Sequence, residues 1–116
     1  MGRMVIVAYR PKPGKQQALE TLMRHHHERL RAEGLVTDRL PALMRARDGT
    51  VLEVFEWLSA QAIAAAHNNA AVQQMWSEYA AVCDCVPVAE VPEAREAFAE
   101  FEPIRTESPL RADLSP

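Results

Sequence analysis

Of the side chains that could do chemistry, His67 and Glu56 stand out first. Glu56 sits near the end of an apolar run, VFEW (54–57), and His67 closes an alanine-rich segment that Ser59 opens. A histidine titrates near neutral pH and can serve as a general base. A carboxylate among apolar neighbours has a raised pKa and can act as acid or base. Tyr9, Trp57, Trp76 and Tyr79 could line a flat pocket for a ring, with the tyrosine hydroxyl as a hydrogen-bonding group. His26 falls on the apolar side of a helical pattern and could reach the same pocket. Each has a plainer reading. His67 could be a buried helix-end histidine bonded to a backbone carbonyl. Glu56 could pair with Arg10, Arg45 or Arg47, and the aromatics could be core packing.

Metal and cofactor chemistry find less support. His25, His26 and His27 are consecutive, so on a helix they point about 100° apart and cannot converge on one ion. A helical metal pair wants i, i+4 spacing. Cys83 and Cys85 match neither a zinc knuckle nor a redox Cys-x-x-Cys pattern, and they read as reduced thiols. The four glycines form no phosphate-cradling loop. No metal and no cofactor are expected.

The positioning elements follow from periodicity. MVIVAYR (4–10) is a β-branched run that Pro11 and Pro13 end, a strand apolar on both faces. Ala18, Leu19, Leu22, Met23, His26 and Leu30 recur at helical spacing, predicting one helix of about five turns that stops at Gly34. LPALMRAR (40–47) and TVLEVFEW (50–57) flank Asp48-Gly49, a hairpin signal in which both turn residues would take positive φ. Ser59 caps a helix through His67, which Asn68 or Asn69 ends, and Val72, Met75, Trp76 and Tyr79 mark another. CVPVAEV (85–91) reads as a last strand, and PEAREAFAEF as a short helix opened by Pro92. The expectation is a folded domain over residues 1–103 and an extended or disordered tail over 104–116.

Strand, helix, strand, strand, helix, strand is an α+β order. It predicts the ferredoxin-like βαββαβ arrangement, a four-stranded antiparallel sheet with helices on one face. The other face would be apolar and need a cover, and a second copy supplies one. A chain of 116 residues with 48% hydrophobic and 25% charged residues is one ordinary globular domain. Its charge of −3 and lack of a basic stripe argue against nucleic acid. The acidity is in the tail: residues 90–116 hold seven acidic and three basic side chains. The opening apolar run is too short for an export signal or a membrane span, so the cytoplasm is expected and no membrane partner.

The run VAYRPKPGK, the DGT hairpin and the segment EVFEWLSAQAIAAAHNN together resemble the dimeric α/β-barrel superfamily, and within it the antibiotic biosynthesis monooxygenase-like domains. The resemblance spans roughly residues 3–91 and matches Glu56, Trp57, Ser59 and His67 in order. It implies a homodimer and a small apolar or aromatic ligand. It also implies a cofactor-independent monooxygenase-like enzyme acting on a small hydroxylated aromatic or polyketide-like substrate. His67, with Glu56, would be the catalytic pair, and Tyr9, His26, Trp57, Trp76 and Tyr79 the substrate-binding residues. The alternatives are a non-catalytic dimeric module that holds a small ligand and, less favoured, a haem-binding protein. Haem-degrading relatives carry an axial histidine about ten residues beyond the His67 region. Here VQQMWSEY stands there, and residues 68–116 contain no histidine.

Overall fold

The computed structural model describes residues 1–105. Strand β1 (Arg3–Pro11) is an inner strand of one antiparallel sheet. Two helices follow, α1 (Gln16–Met23) and α2 (His26–Ala32), and then the hairpin of β2 (Ala42–Arg45) and β3 (Val51–Trp57). Helices α3 (Ala60–Ala66) and α4 (Ala70–Ala80) lead to β4 (Cys83–Val86), and β5 (Glu102–Pro103) is the last strand among the described residues. The sheet order is β4-β1-β3-β2-β5, so it has five strands where four were expected.

The extra strand is short but anchored. β5 pairs with β2 through Met44↔Pro103 and Arg45↔Glu102. Beyond it the Ile104 amide donates to the Leu43 carbonyl (2.9 Å), and the Ile104 side chain is only 6% exposed. The folded domain therefore runs past Pro103, because one buried isoleucine gains more from the core than a free tail retains in entropy. Residues 106–116 of the expected tail lie outside the described residues.

The expected single helix is broken at Arg24-His25. The His25 amide bonds to Leu22, a tight i→i−3 step, and α2 restarts with the Arg29 amide on the His25 carbonyl. Ser59 caps α3, accepting from the Ala62 amide (3.1 Å). Asn69 does not end that helix. It caps the next one, accepting from the Val72 amide (3.0 Å). The hairpin turn also differs. Gly49 alone has positive φ (92°), and the Ala46 carbonyl accepts from Gly49 while the Ala46 amide donates to Thr50. This is a three-residue loop with a glycine bulge, so Asp48 keeps ordinary φ and its carboxylate accepts from the Thr50 amide. The last long strand begins and ends earlier than expected, at Cys83 and Val86. PEAREAFAEF yields only a 3₁₀ turn over Pro92–Arg95.

The helices cover one sheet face, over Tyr9, Val51, Phe55 and Trp57, with Leu19, Met23, Leu30, Val72 and Met75 from above. The opposite face has a smaller cluster, Ala8, Ala46, Leu52 and Val91, under the segment after β4. That segment is pinned by Glu93, which is 2% exposed and accepts from the Arg47 amide at 2.7 Å. It leaves Met4 and Ile6 each 54% exposed.

Candidate functional site

Residue parity on β3 sorts its two glutamates. Side chains alternate across a strand, so Glu53 goes under the helices with Val51, Phe55 and Trp57, and Glu56 goes to the other side. A carboxylate under helices needs a partner, and the helix break supplies one. Helix α2 opens with His26, whose side chain enters the core, and its Nδ1–H donates to Glu53 Oε1 at 2.5 Å. His26 is 2% exposed and Glu53 1%.

Against the His26 side of this pair lies a cavity of about 470 Å³ between helices and sheet. Its floor is Val5, Val7 and Tyr9 from β1 with Phe55 and Trp57 from β3, and its roof is His26 from α2 with Trp76 and Tyr79 from α4. β4 pairs with β1 only over Ala8–Pro11. The half-buried Val5 and Val7 lie beyond the end of β4, at the cavity's edge. With Nδ1 committed to Glu53, the imidazole has only Nε2 free for a ligand in the cavity.

The two tyrosines differ. The Tyr79 hydroxyl donates to the Leu22 carbonyl at 2.8 Å, the same carbonyl that receives the His25 amide at the helix break. Tyr79 thus ties α4 to the step that turns His26 inward. No hydrogen bond among the described residues holds the Tyr9 hydroxyl, and no fully buried polar side-chain atom there lacks a partner. The Tyr9 hydroxyl is therefore open to the cavity. Its ring centroid lies 6.1 Å from that of His26 and 6.0 Å from that of Tyr79. Burial pushes the Tyr9 phenol well above its ordinary 10.0, and the nearby Glu53 charge adds to the shift. The Tyr79 phenol is raised for the same two reasons, burial first. Both stay protonated at neutral pH and can donate. At the β4 end, burial pushes the Cys83 thiol up to about 11, which keeps it a poor nucleophile.

His67 is a correction. It lies exposed just past the end of α3 and does not line the cavity. Its Nδ1–H donates to the Ile63 carbonyl (2.9 Å), and its ring meets the edge of Trp76, with centroids 5.2 Å apart. Helix α3 is only seven residues long, and its buried side is Ala62 and Ala66. His67 follows Ala66, so it is rotated about 100° away from the sheet. Glu56 is the second correction. It faces outward, where Thr37 Oγ1 (3.0 Å) and Arg39 Nε (3.1 Å) donate to it rather than Arg10, Arg45 or Arg47. The Arg39 contact, then the Thr37 bond, holds its carboxyl below the usual range. The structure brings Tyr9, His26, Trp57, Trp76 and Tyr79 together around one cavity and keeps His67 and Glu56 out of it.

Sequence reasoning did not select Glu53. The available signal was that Glu53 and His26 are each the polar residue on an otherwise apolar face. Among the described residues no three His, Cys, Asp or Glu side chains gather as metal donors. No family model matches the chain, and no curated protein or solved structure matches it.

Proposed function

We propose that the protein is a small-molecule enzyme in which the His26–Glu53 pair is the general base. The observation that carries this reading is a buried carboxylate–imidazole hydrogen bond of 2.5 Å at the wall of a largely aromatic cavity. Glu53 fixes the tautomer, with the proton on Nδ1, and Nε2 accepts a proton from an acidic O–H or C–H of the ligand. The carboxylate stabilises the imidazolium that forms. Tyr9 donates to the oxyanion left behind.

The chemistry proposed for that anion is cofactor-independent monooxygenation of a hydroxylated aromatic or polyketide-like substrate. An electron-rich ring carbon bearing two hydrogens reacts with dioxygen. One oxygen atom stays as a carbonyl, and the other leaves as water with the two hydrogens. Dioxygen is the only oxidant and no external reductant is needed. The likeness to the antibiotic biosynthesis monooxygenase-like domains noted from sequence supports this reaction class, with His26 taking the role first given to His67.

The reading includes a ferredoxin-like fold and a homodimer in the cytoplasm. The strand order β4-β1-β3-β2, with a helix pair after β1 and another after β3, supports the fold. Exposed Met4 and Ile6, with Val54 paired to Ile6, support a second copy on the outer sheet face. Light scattering at micromolar concentration should give twice the 13.0 kDa chain mass. Ile6→Glu should halve the measured mass.

The decisive experiment is oxygen uptake with hydroxylated two- and three-ring aromatics. His26→Gln should lower turnover by roughly 10²–10⁴-fold, as loss of a general base does, and His67→Gln should leave it near wild type. Full turnover in His26→Gln would reject the base. Binding of these compounds with no oxygen uptake would favour the non-catalytic ligand-binding module.

A further inference from the structure

The cavity wall is unusual in its charge. Among the described residues no lysine or arginine lines it. The Lys12 ammonium is held by the carbonyl of Ala80, a wall residue at the end of α4 (2.7 Å). The one charged side chain on the wall among the described residues is Asp84, at the exposed β4 rim, and at the inner end Glu53 lies behind His26, already hydrogen bonded to it. A ligand carboxylate would therefore enter a desolvated site with no cation to meet it, beside a negative charge already present. Burying an unpaired anion is strongly unfavourable. A neutral hydroxyl avoids that cost, because it can give its proton to His26 Nε2 and accept from the Tyr9 hydroxyl.

The rest of the wall asks for a flat apolar body. Phe55 and Trp57 lie 5.4 Å apart by ring centroid beside His26, and Val5, Val7 and Trp76 extend the apolar surface. A volume of about 470 Å³ is within the range that holds drug-sized ligands. It equals about sixteen waters at ~30 Å³ each, which is room for more than one ring.

We propose that this cavity selects an uncharged fused-ring phenol, its hydroxyl between His26 and Tyr9, and rejects a carboxylate of the same shape. The proposal rests on the reading of His26–Glu53 as the polar end of the ligand site. It adds the charge class of the ligand, which catalysis alone does not specify.

Calorimetric titration at pH 7 with 2-naphthol, 2-naphthoate and 2-naphthyl-trimethylammonium tests it on the whole chain. 2-Naphthol should bind at least tenfold more tightly than either ion. Val7→Lys, which places an ammonium on the wall, should raise 2-naphthoate affinity tenfold or more relative to 2-naphthol. The proposal is overturned if 2-naphthoate or the trimethylammonium probe binds wild type as well as 2-naphthol, or if 2-naphthol does not bind at millimolar concentration. Failure of the base reading is distinct: charge selection would persist while His26→Gln left oxygen uptake unchanged.

Discussion

His26 with Glu53 and His67 near Glu56 are the same side-chain types in opposite settings. Glu53 and Glu56 are three residues apart on one strand, yet one is 1% exposed beneath the helices and the other lies half-buried on the outer face beside the exposed Arg39. His26 is enclosed, and His67 rests on the outside of Trp76, a residue of the cavity wall. The difference comes from geometry before chemistry. Strand parity turns Glu53 inward, and a helix restart at His26 brings an imidazole to meet it. Outside, Glu56 meets Thr37 and Arg39 while His67 meets the Ile63 carbonyl, and nothing brings the two together.

The largest test of that contrast is the removal of each histidine. His26→Ala leaves a buried carboxylate without a partner and should cost about 3–5 kcal/mol. His67→Ala removes one exposed hydrogen bond and an edge contact, and should cost no more than about 1 kcal/mol. Urea unfolding of both variants measures the gap, and equal losses would erase the distinction. If His26→Ala does not fold, His26→Leu combined with Glu53→Leu should, because removing both polar partners removes the stranded charge.

The same inside–outside rule should hold at the end of the chain. Ile104→Ala opens space beside Leu43 and should cost about 2–4 kcal/mol, while Phe98→Ala, at a ring 88% exposed, should stay within about 0.5 kcal/mol. Thermal unfolding reads both. A negligible loss at Ile104 would restore the domain boundary at Pro103.

A smaller difference separates the two phenols. Tyr79→Phe leaves the Leu22 carbonyl with one donor fewer at the helix break, costing about 1 kcal/mol. It should also shift the His26 ring resonances in NMR, since the break sets that side chain. Tyr9→Phe removes a hydroxyl with no protein partner and should be nearly neutral in stability.

Much of the scaffold was legible because periodicity reports local structure. β1 and the β2–β3 hairpin follow from their apolar runs, and the Ser59 cap from one residue type at one position. The cavity aromatics were legible as a set, since Tyr9, Trp57, Trp76 and Tyr79 sit on faces that must turn inward. What stayed hidden was non-local. Nothing within residues 15–34 predicts a break at Arg24-His25, because it is held by the Tyr79 hydroxyl from α4. Glu53 was noted on a strand face and His26 on a helix face, but their pairing across 27 positions is tertiary information. His67 misled because α3 is too short for its alanines to fix which side meets the sheet; the buried pair proved to be Ala62 and Ala66. β5 escaped because two residues carry no period.

The smallest test uses pH, and here inside and outside should act at opposite ends of the scale. The Tyr9 phenol is raised in the folded state above its ordinary 10.0, by burial first. The unfolded chain therefore ionises before the folded one. That contribution is complete below pH 10 and is lost as pH climbs from there toward the folded value. Cys83, raised by burial from 9.0 to about 11, starts the same decline near pH 9. Glu56 has the opposite sign. Its folded pKa lies below 4.5, through Arg39 and then Thr37, so its contribution is present above pH 4.5 and disappears as pH falls through the folded value. Urea midpoints from pH 3 to 11 should show an alkaline decline that Tyr9→Phe makes shallower, with Cys83 and Tyr79 keeping part of it. Glu56→Gln should flatten the acid side only slightly, because the Arg39 side of that half-buried pair is exposed and screened by solvent. An alkaline limb unchanged in Tyr9→Phe would mean that its hydroxyl is solvated in the folded protein. In that case the inner end of the cavity would be no drier than the surface around Glu56, and the contrast between the two sites would lose its physical basis.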